Sequence, residues 1–147
     1  MMLLDDSLHI IMPIKDSIDI AQKAIEAIVY NGYMVHVYDV YSLEENAKRL
    51  DQLATQWGIE VIHIKDHLDH PSPNYRWVLQ QARRTAIDKK QHLVIIESDV
   101  IIQRETLSRM AAEVHSGIGM VAAVTVNENG EYNFPYHYIR KYWYRRS

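Results

Sequence analysis

The chain contains no cysteine. That excludes disulfides, thiolate zinc sites and cysteine nucleophiles, and it fits a reducing compartment. No apolar run approaches the about eighteen residues that a membrane-spanning helix needs. Met1-Met2-Leu3-Leu4 runs directly into Asp5 and Asp6 with no basic segment before it, so no secretory leader is expected. Glycine-rich phosphate loops are also missing: where G-x-G-x-x-G or G-x-x-x-x-G-K-[ST] would follow the first apolar run, the chain reads Ile14-Lys15-Asp16-Ser17. P-loop and classical dinucleotide chemistry are thereby excluded. There is no G-x-S-x-G elbow to support a hydrolase triad. The formal net charge of −3 argues against nucleic acid as a general partner.

What is present is a soluble globular composition, 48% hydrophobic and 24% charged. With 147 residues, one domain spanning 1–147 is expected, long enough to bury a core. Apolar runs alternate with segments of helical periodicity. Leu8 to Ile14 reads as a buried strand, with Pro13 marking its end. Asp16 or Ser17 can cap a helix from Ile18 to Tyr30, which Asn31-Gly32 stops. Met34 to Val40 is a second strand. Ser42, with Glu45 three residues on, makes a capping box for a helix from Leu43 to about Trp57, ended by Gly58. Glu60 to Ile64 gives a short third strand, and Pro71 and Pro73 keep Lys65 to Asn74 irregular. A helix from Tyr75 to Lys90 leads to a fourth strand, a helix from Glu105 to His115 follows, and Met120 to Val126 reads as a fifth strand. Asn129-Gly130 between Val126 and Tyr132 signals a hairpin. Strand–helix alternation of this kind predicts a Rossmann-like three-layer α/β/α fold with a mostly parallel central sheet.

The fourth strand carries the strongest chemical signal. Leu93-Val94-Ile95-Ile96-Glu97-Ser98-Asp99-Val100-Ile101-Ile102 is branched and apolar, interrupted by two carboxylates one residue apart. A run of this type predicts a strand buried on both faces in the middle of a parallel sheet. An unpaired carboxylate is costly to bury, so Glu97 and Asp99 should lie where the strand has just left the core. In open α/β sheets that is the ligand-binding edge. Two oxygen ligands aimed the same way suit Mg²⁺ or Mn²⁺; a solvated acidic turn is the other reading of the same residues.

Asp16, Asp39, Asp66 and Asp99 each follow a different predicted strand at one edge. Singly, each suits a cap or a turn. Together they form an acidic crevice that accepts a polyphosphate only with a counter-cation. His63, Asp66, His67, Asp69 and His70 form the densest set of potential metal ligands, but their spacing and proline-rich setting favour solvated turn residues over zinc. His36 is expected at the core edge with a hydrogen-bond partner. The tail of residues 136–147 mixes basic and aromatic side chains. Such a mixture suits stacking on nucleic acid or a membrane interface, but the favoured expectation is a terminal helix cut from the context it packs against.

Four motifs in register resemble the nucleotide-binding half of family-2 glycosyltransferases of the GT-A fold. Ile10-Ile11-Met12-Pro13-Ile14-Lys15-Asp16 resembles "I-I-P-x-Y/F-N", and Tyr38-Asp39-Val40-Tyr41-Ser42 resembles "V-D-D-x-S". Ala82-Arg83-Arg84-Thr85-Ala86-Ile87 resembles "A-R-N-x-G-I", with Asn74 at the place of an upstream Asn, and Glu97-Ser98-Asp99 resembles D-x-D. The likeness covers roughly residues 8–126.

It implies a nucleotide-sugar-binding domain that takes a nucleoside-diphosphate sugar, a UDP-sugar by preference, with Mn²⁺ or Mg²⁺, and transfers the sugar to an acceptor. A non-catalytic nucleotide- or partner-binding module without the acceptor half is the alternative. By the resemblance Asp39 would contact the base, Pro13, Ile14 and Asp16 would shape its pocket, and Arg83 would lie near the donor. Asp99 would hold the metal, with Glu97 and Ser98 beside the donor. Glu97 replaces an Asp of the family pattern, Val40 the second acid of "D-D", and Arg84 and Ala86 an Asn and a Gly. No catalytic base can be named. The expected location is the cytoplasm, with peripheral contact through the tail at the inner face of the membrane.

Overall fold

The computed structural model describes residues 6–70, 74–115 and 117–132, so Pro71, Pro73 and the basic aromatic tail lie outside the described residues. Two compact units are distinguished, Met1–Arg104 and Glu105–Ser147. The first contains the strands β1 (Leu8–Ile14), β2 (Val35–Asp39), β3 (Glu60–His63) and β4 (His92–Ile95). Its helices are α1 (Ile18–Tyr30), α2 (Glu44–Trp57) and α3 (Tyr75–Asp88). All strand pairs are parallel, in the order β3-β2-β1-β4. The predicted α/β class and parallel sheet are therefore observed.

Every residue of β1 is buried, as a strand flanked on both sides and covered on both faces must be. Ladder register sorts the side chains. Ile11, Tyr38 and Leu93 share one face and pack with Val78, Ala82 and Trp77 of α3. Val37, Asp39 and His63 share the other, where His63 reaches Asp51 of α2. α1 packs against α2, and α3 against β1 and β4. The sheet is thus sandwiched between an α1/α2 layer and α3, as right-handed crossovers require. α1 buries Ile18, Ala21, Ala24, Ile25 and Ile28 at helical spacing.

Pro13 does not end β1; the strand runs on to Ile14. The ladder explains why this costs nothing. The Ile14 carbonyl accepts from Val40 beside β2, and the Ile11 carbonyl accepts from Ile96 beside β4. Alternation turns the missing N–H of Pro13 to the β4 side, beyond the last paired residue, Ile95.

Other expectations are corrected. β4 stops at Ile95, before the carboxylates as expected, but it is an edge strand among the described residues rather than a central one, with Ile95 44% exposed. The chain turns at once, Val100 N–H donating to the Glu97 carbonyl, because two carboxylates seeking water end the apolar run. The fifth strand is not found among the described residues: there, residues 120–126 hold no ladder beyond a bridge between Val126 and Tyr132. That bridge belongs to the second unit and is the predicted hairpin. Gly130 sits at its tip with φ 79°. The second unit's helix is α4 (Thr106–Glu113).

His9 is buried to 2% exposure on β1, tilted at 41° against His36 with ring centroids 4.6 Å apart. Neither of its ring nitrogens has a partner among the described residues. His36 meets its expectation by bonding Glu60 through Nδ1 at 2.7 Å. Burial first, then the neighbouring His36 and Lys89, pulls the His9 pKa down from 6.5 to about 4. An unfolded His9 takes up its proton near 6.5, so between those values the unfolded state binds more protons. Stability is expected to fall as pH drops through that window, by about 3 kcal/mol in total. Denaturant melts of the wild type and of His9→Phe across this range check the expectation. The variant should lose most of the acid dependence; an unchanged dependence would refute it.

Candidate functional site

Parallel strands bring the residues that follow β1, β2 and β4 to one edge of the sheet. β1 and β4 are neighbours there although α1 leaves β1 toward one face and α3 reaches β4 from the other. That is the topological switch point, where open α/β sheets leave a crevice. The acids at this edge divide into two groups.

Asp16 and Asp39 are held by the protein itself. Asp16 and Ser17 are consecutive left-handed residues, φ 55° and 51°, a conformation costing about 1–2 kcal/mol per residue. It persists because the start of α2 grips Asp16. The Asp16 amide donates to Ser42 Oγ at 2.8 Å. Asp16 Oδ1 accepts from Leu43 N–H at 2.9 Å and from Asn46 Nδ2 at 2.8 Å. The Asn46 and Leu43 bonds hold the Asp16 carboxyl below its usual range. Asp16 therefore supplies the helix start for α2, and Ser42, expected to cap it in a capping box, does not; the N-cap residue is Leu43, with no side-chain cap of its own.

Asp39 is 1% exposed. Its Oδ1 accepts from Ser42 N–H at 2.9 Å, and its Oδ2 is 2.7 Å from His63 Nδ1. His63 Nε2 is 2.8 Å from Asp51 Oδ1 of α2. The imidazole thus bridges two carboxylates. Burial lowers its pKa, but the hydrogen bonds and charges of Asp39 and Asp51 outweigh that and raise it. His63 belongs to β3, not to the loop cluster with which the sequence grouped it. Only ladder register, which sets Asp39 opposite His63, reveals the link.

Glu97 and Asp99 stand apart from this network. Both are exposed. Among the described residues Asp99 has no hydrogen-bond or ion-pair partner. Glu97 has one long contact, 3.5 Å from the Tyr75 hydroxyl, which donates to it. Burial first and then the Glu97 charge raise the Tyr75 pKa. Tyr75 opens α3 directly after Asn74, which is 4% exposed and whose Nδ2 has no partner among the described residues. A buried amide without a partner costs about 1–3 kcal/mol, so Asn74 is a donor in want of an acceptor at this end of α3. Pro13 and Ile14 are buried. Ser98 lies in the turn between the two acids. Arg83 is exposed on α3, about 12 Å along the helix from Tyr75.

Nearby, the Tyr41 hydroxyl donates to the Leu68 carbonyl and His67 stacks on Trp77 with ring centroids 5.2 Å apart. These contacts tie the segment after β3 to the sheet. No group of three or more His, Cys, Asp or Glu that could hold a metal occurs among the described residues. A cation here would rely on Asp99, with Glu97 beside it, and on ligand oxygens and water, the usual arrangement for Mg²⁺ at phosphates.

Because the His63 pKa is raised by folding, its contribution is full below its ordinary value of 6.5 and fades as pH rises through the folded value. His63→Gln is expected to cost about 2 kcal/mol at pH 6 and distinctly less at alkaline pH. Chemical denaturation at the two pH values measures this; equal losses at both would contradict a charged bridge.

No family model and no curated protein sequence matches the chain. Among solved structures, the crystal structure of S. aureus TarS residues 1–349 superposes with a TM-score of 0.50 at 17% identity. It covers 72% of this chain and 31% of its own. A second crystal structure of S. aureus TarS gives 0.48 at 17% identity, covering 72% of this chain and 19% of its own. This chain spans less than a third of the length of either. Among the described residues the fold is α/β with an all-parallel four-stranded sheet, and it is similar to the GT-A-like fold of S. aureus TarS residues 1–349.

Proposed function

We propose that the chain binds a nucleoside-diphosphate sugar, a UDP-sugar by preference, with Mn²⁺ or Mg²⁺ at the β1/β4 switch point, as the donor half of a glycosyltransferase. The observation that carries this is the contrast among the acids. Asp16 and Asp39 are engaged by protein donors, whereas Asp99 leaves β4 exposed and unpartnered at the ligand-binding edge. Asp99 is the metal ligand in this reading. Glu97 and Ser98 flank it, and the spare amide of Asn74 offers a hydrogen bond to the donor. Pro13, Ile14 and Asp16 form the wall, with Asp16 acting through its grip on α2.

Asp39 has a different part from direct base contact. With both oxygens occupied and 1% exposure, it shapes the base pocket by fixing Ser42 and β3. Arg83 reaches the donor only from the flank of α3. A bound divalent cation would offset the charge growing on a diphosphate leaving group. Acceptor and general base have no residues assigned. A non-catalytic nucleotide- or partner-binding module is the second reading, since no acceptor-activating base is identified.

UDP with Mn²⁺ is expected to raise the melting temperature, by about 2–3 kcal/mol of added stability at a hundredfold excess over Kd. Asp99→Ala should abolish the Mn²⁺-dependent part and leave the ligand-free melt unchanged. If no nucleoside diphosphate shifts the melt, the donor site is wrong. UDP-sugar hydrolysis or transfer by this chain alone would decide against the non-catalytic reading.

A further inference from the structure

The two helical layers carry opposite charge. Among exposed residues of α1 and α2, acids outnumber Lys and Arg five to three, and Lys48 and Arg49 are paired with Glu44 and Asp19. On the other face, α3 exposes Arg76, Arg83 and Arg84, its exit turn exposes Lys89 and Lys90, and the one exposed acid is Asp88. None of those five cations joins an ion pair among the described residues. Arg76 and Arg83 are seven apart and Ile87 follows four later, so the three share one stripe along the helix. Ile87 is 60% exposed amid these cations, and Tyr75 at the helix start is 42% exposed.

We infer that the outer face of α3 docks this chain on an anionic lipid surface. Clustered Lys and Arg are drawn to acidic headgroups, and Tyr is favoured at the headgroup level. A soluble polyanion would engage the cations but would leave Ile87 in water; a bilayer takes up both. The acidic layer does not cancel the attraction. It lies across the sheet, about 20 Å away, and the screening length is about 8 Å at physiological salt. Docking on α3, which runs along the sheet, leaves the carboxyl edge opening beside the membrane rather than against it. The surface stands on charge and exposure alone and is independent of the donor reading.

The test is co-sedimentation of the full chain with phosphatidylcholine vesicles and with vesicles of equal parts phosphatidylcholine and phosphatidylglycerol. Binding is expected only to the second, and high salt should weaken it. Each cation is worth about fivefold in partition, so Arg76→Glu/Arg84→Glu/Lys90→Glu, which removes three cations and adds three anions, should reduce binding by at least about a hundredfold. Ile87→Ser should reduce it severalfold with every charge intact. All four positions are exposed, so the melting temperature should hold; should the triple reversal melt early, Arg76→Gln/Arg84→Gln serves in its place. Undiminished binding by these folded variants would overturn the proposal. So would loss of binding by Arg145→Glu/Arg146→Glu alone, which would place the contact in the tail, or wild-type capture of polyphosphate with indifference to the acidic vesicles.

Discussion

A carboxylate buried at the end of β2 is the constraint on which this edge of the sheet depends. Asp39 is 1% exposed, so both of its oxygens need donors, and the chain supplies them from two directions. Ser42 N–H tightens the turn after β2, and His63 draws in β3 and, through Asp51, α2. Once Ser42 is fixed, its hydroxyl accepts the amide of Asp16, and Asp16 in turn holds the first residues of α2. The turns after β1 and β2 and the start of α2 become one body. The left-handed backbone at Asp16 and Ser17 is held in place by that body rather than by local preference.

This locking assigns different work to residues of one chemical type. Acids after β1 and β2 build the wall of the crevice. Those after β4 have no such duty: Glu97 and Asp99 are exposed, and among the described residues Asp99 has no partner. In the proposed reading a cation would be held best by carboxylates not already neutralised by protein donors, hence by Asp99 rather than Asp16 or Asp39. The likeness to TarS is one of fold; the site rests on this chain's own side chains.

Sidedness continues beyond the crevice. The sheet separates an acidic layer with paired cations from α3, whose cations are unpaired. The buried faces of these helices are alike in chemistry, apolar residues at helical spacing, so packing does not account for the difference. An overall charge of −3 hides it entirely. A chain that is acidic on average therefore carries a strongly basic face.

Local signals were readable residue by residue. Ile18 to Tyr30 showed its buried stripe, Asn31-Gly32 and Gly58 their helix stops, and Asn129-Gly130 its hairpin, because each depends on residues a few positions apart. The strand–helix alternation carried the parallel sheet as well. Strand extent was less legible. Leu93 to Ile102 and Met120 to Val126 have strand composition, but a strand exists only where a partner ladder meets it, and composition does not say where pairing stops. The partners of Asp16, Asp39 and His63 lie 24–30 residues away in the chain. The sequence by itself determined the fold class, the helix ends and the acids at one edge, since these follow from periodicity and turn chemistry. Tertiary structure alone decided which of those acids are consumed by the protein and which remain free, because that turns on ladder register and on the helix start that each carboxylate meets.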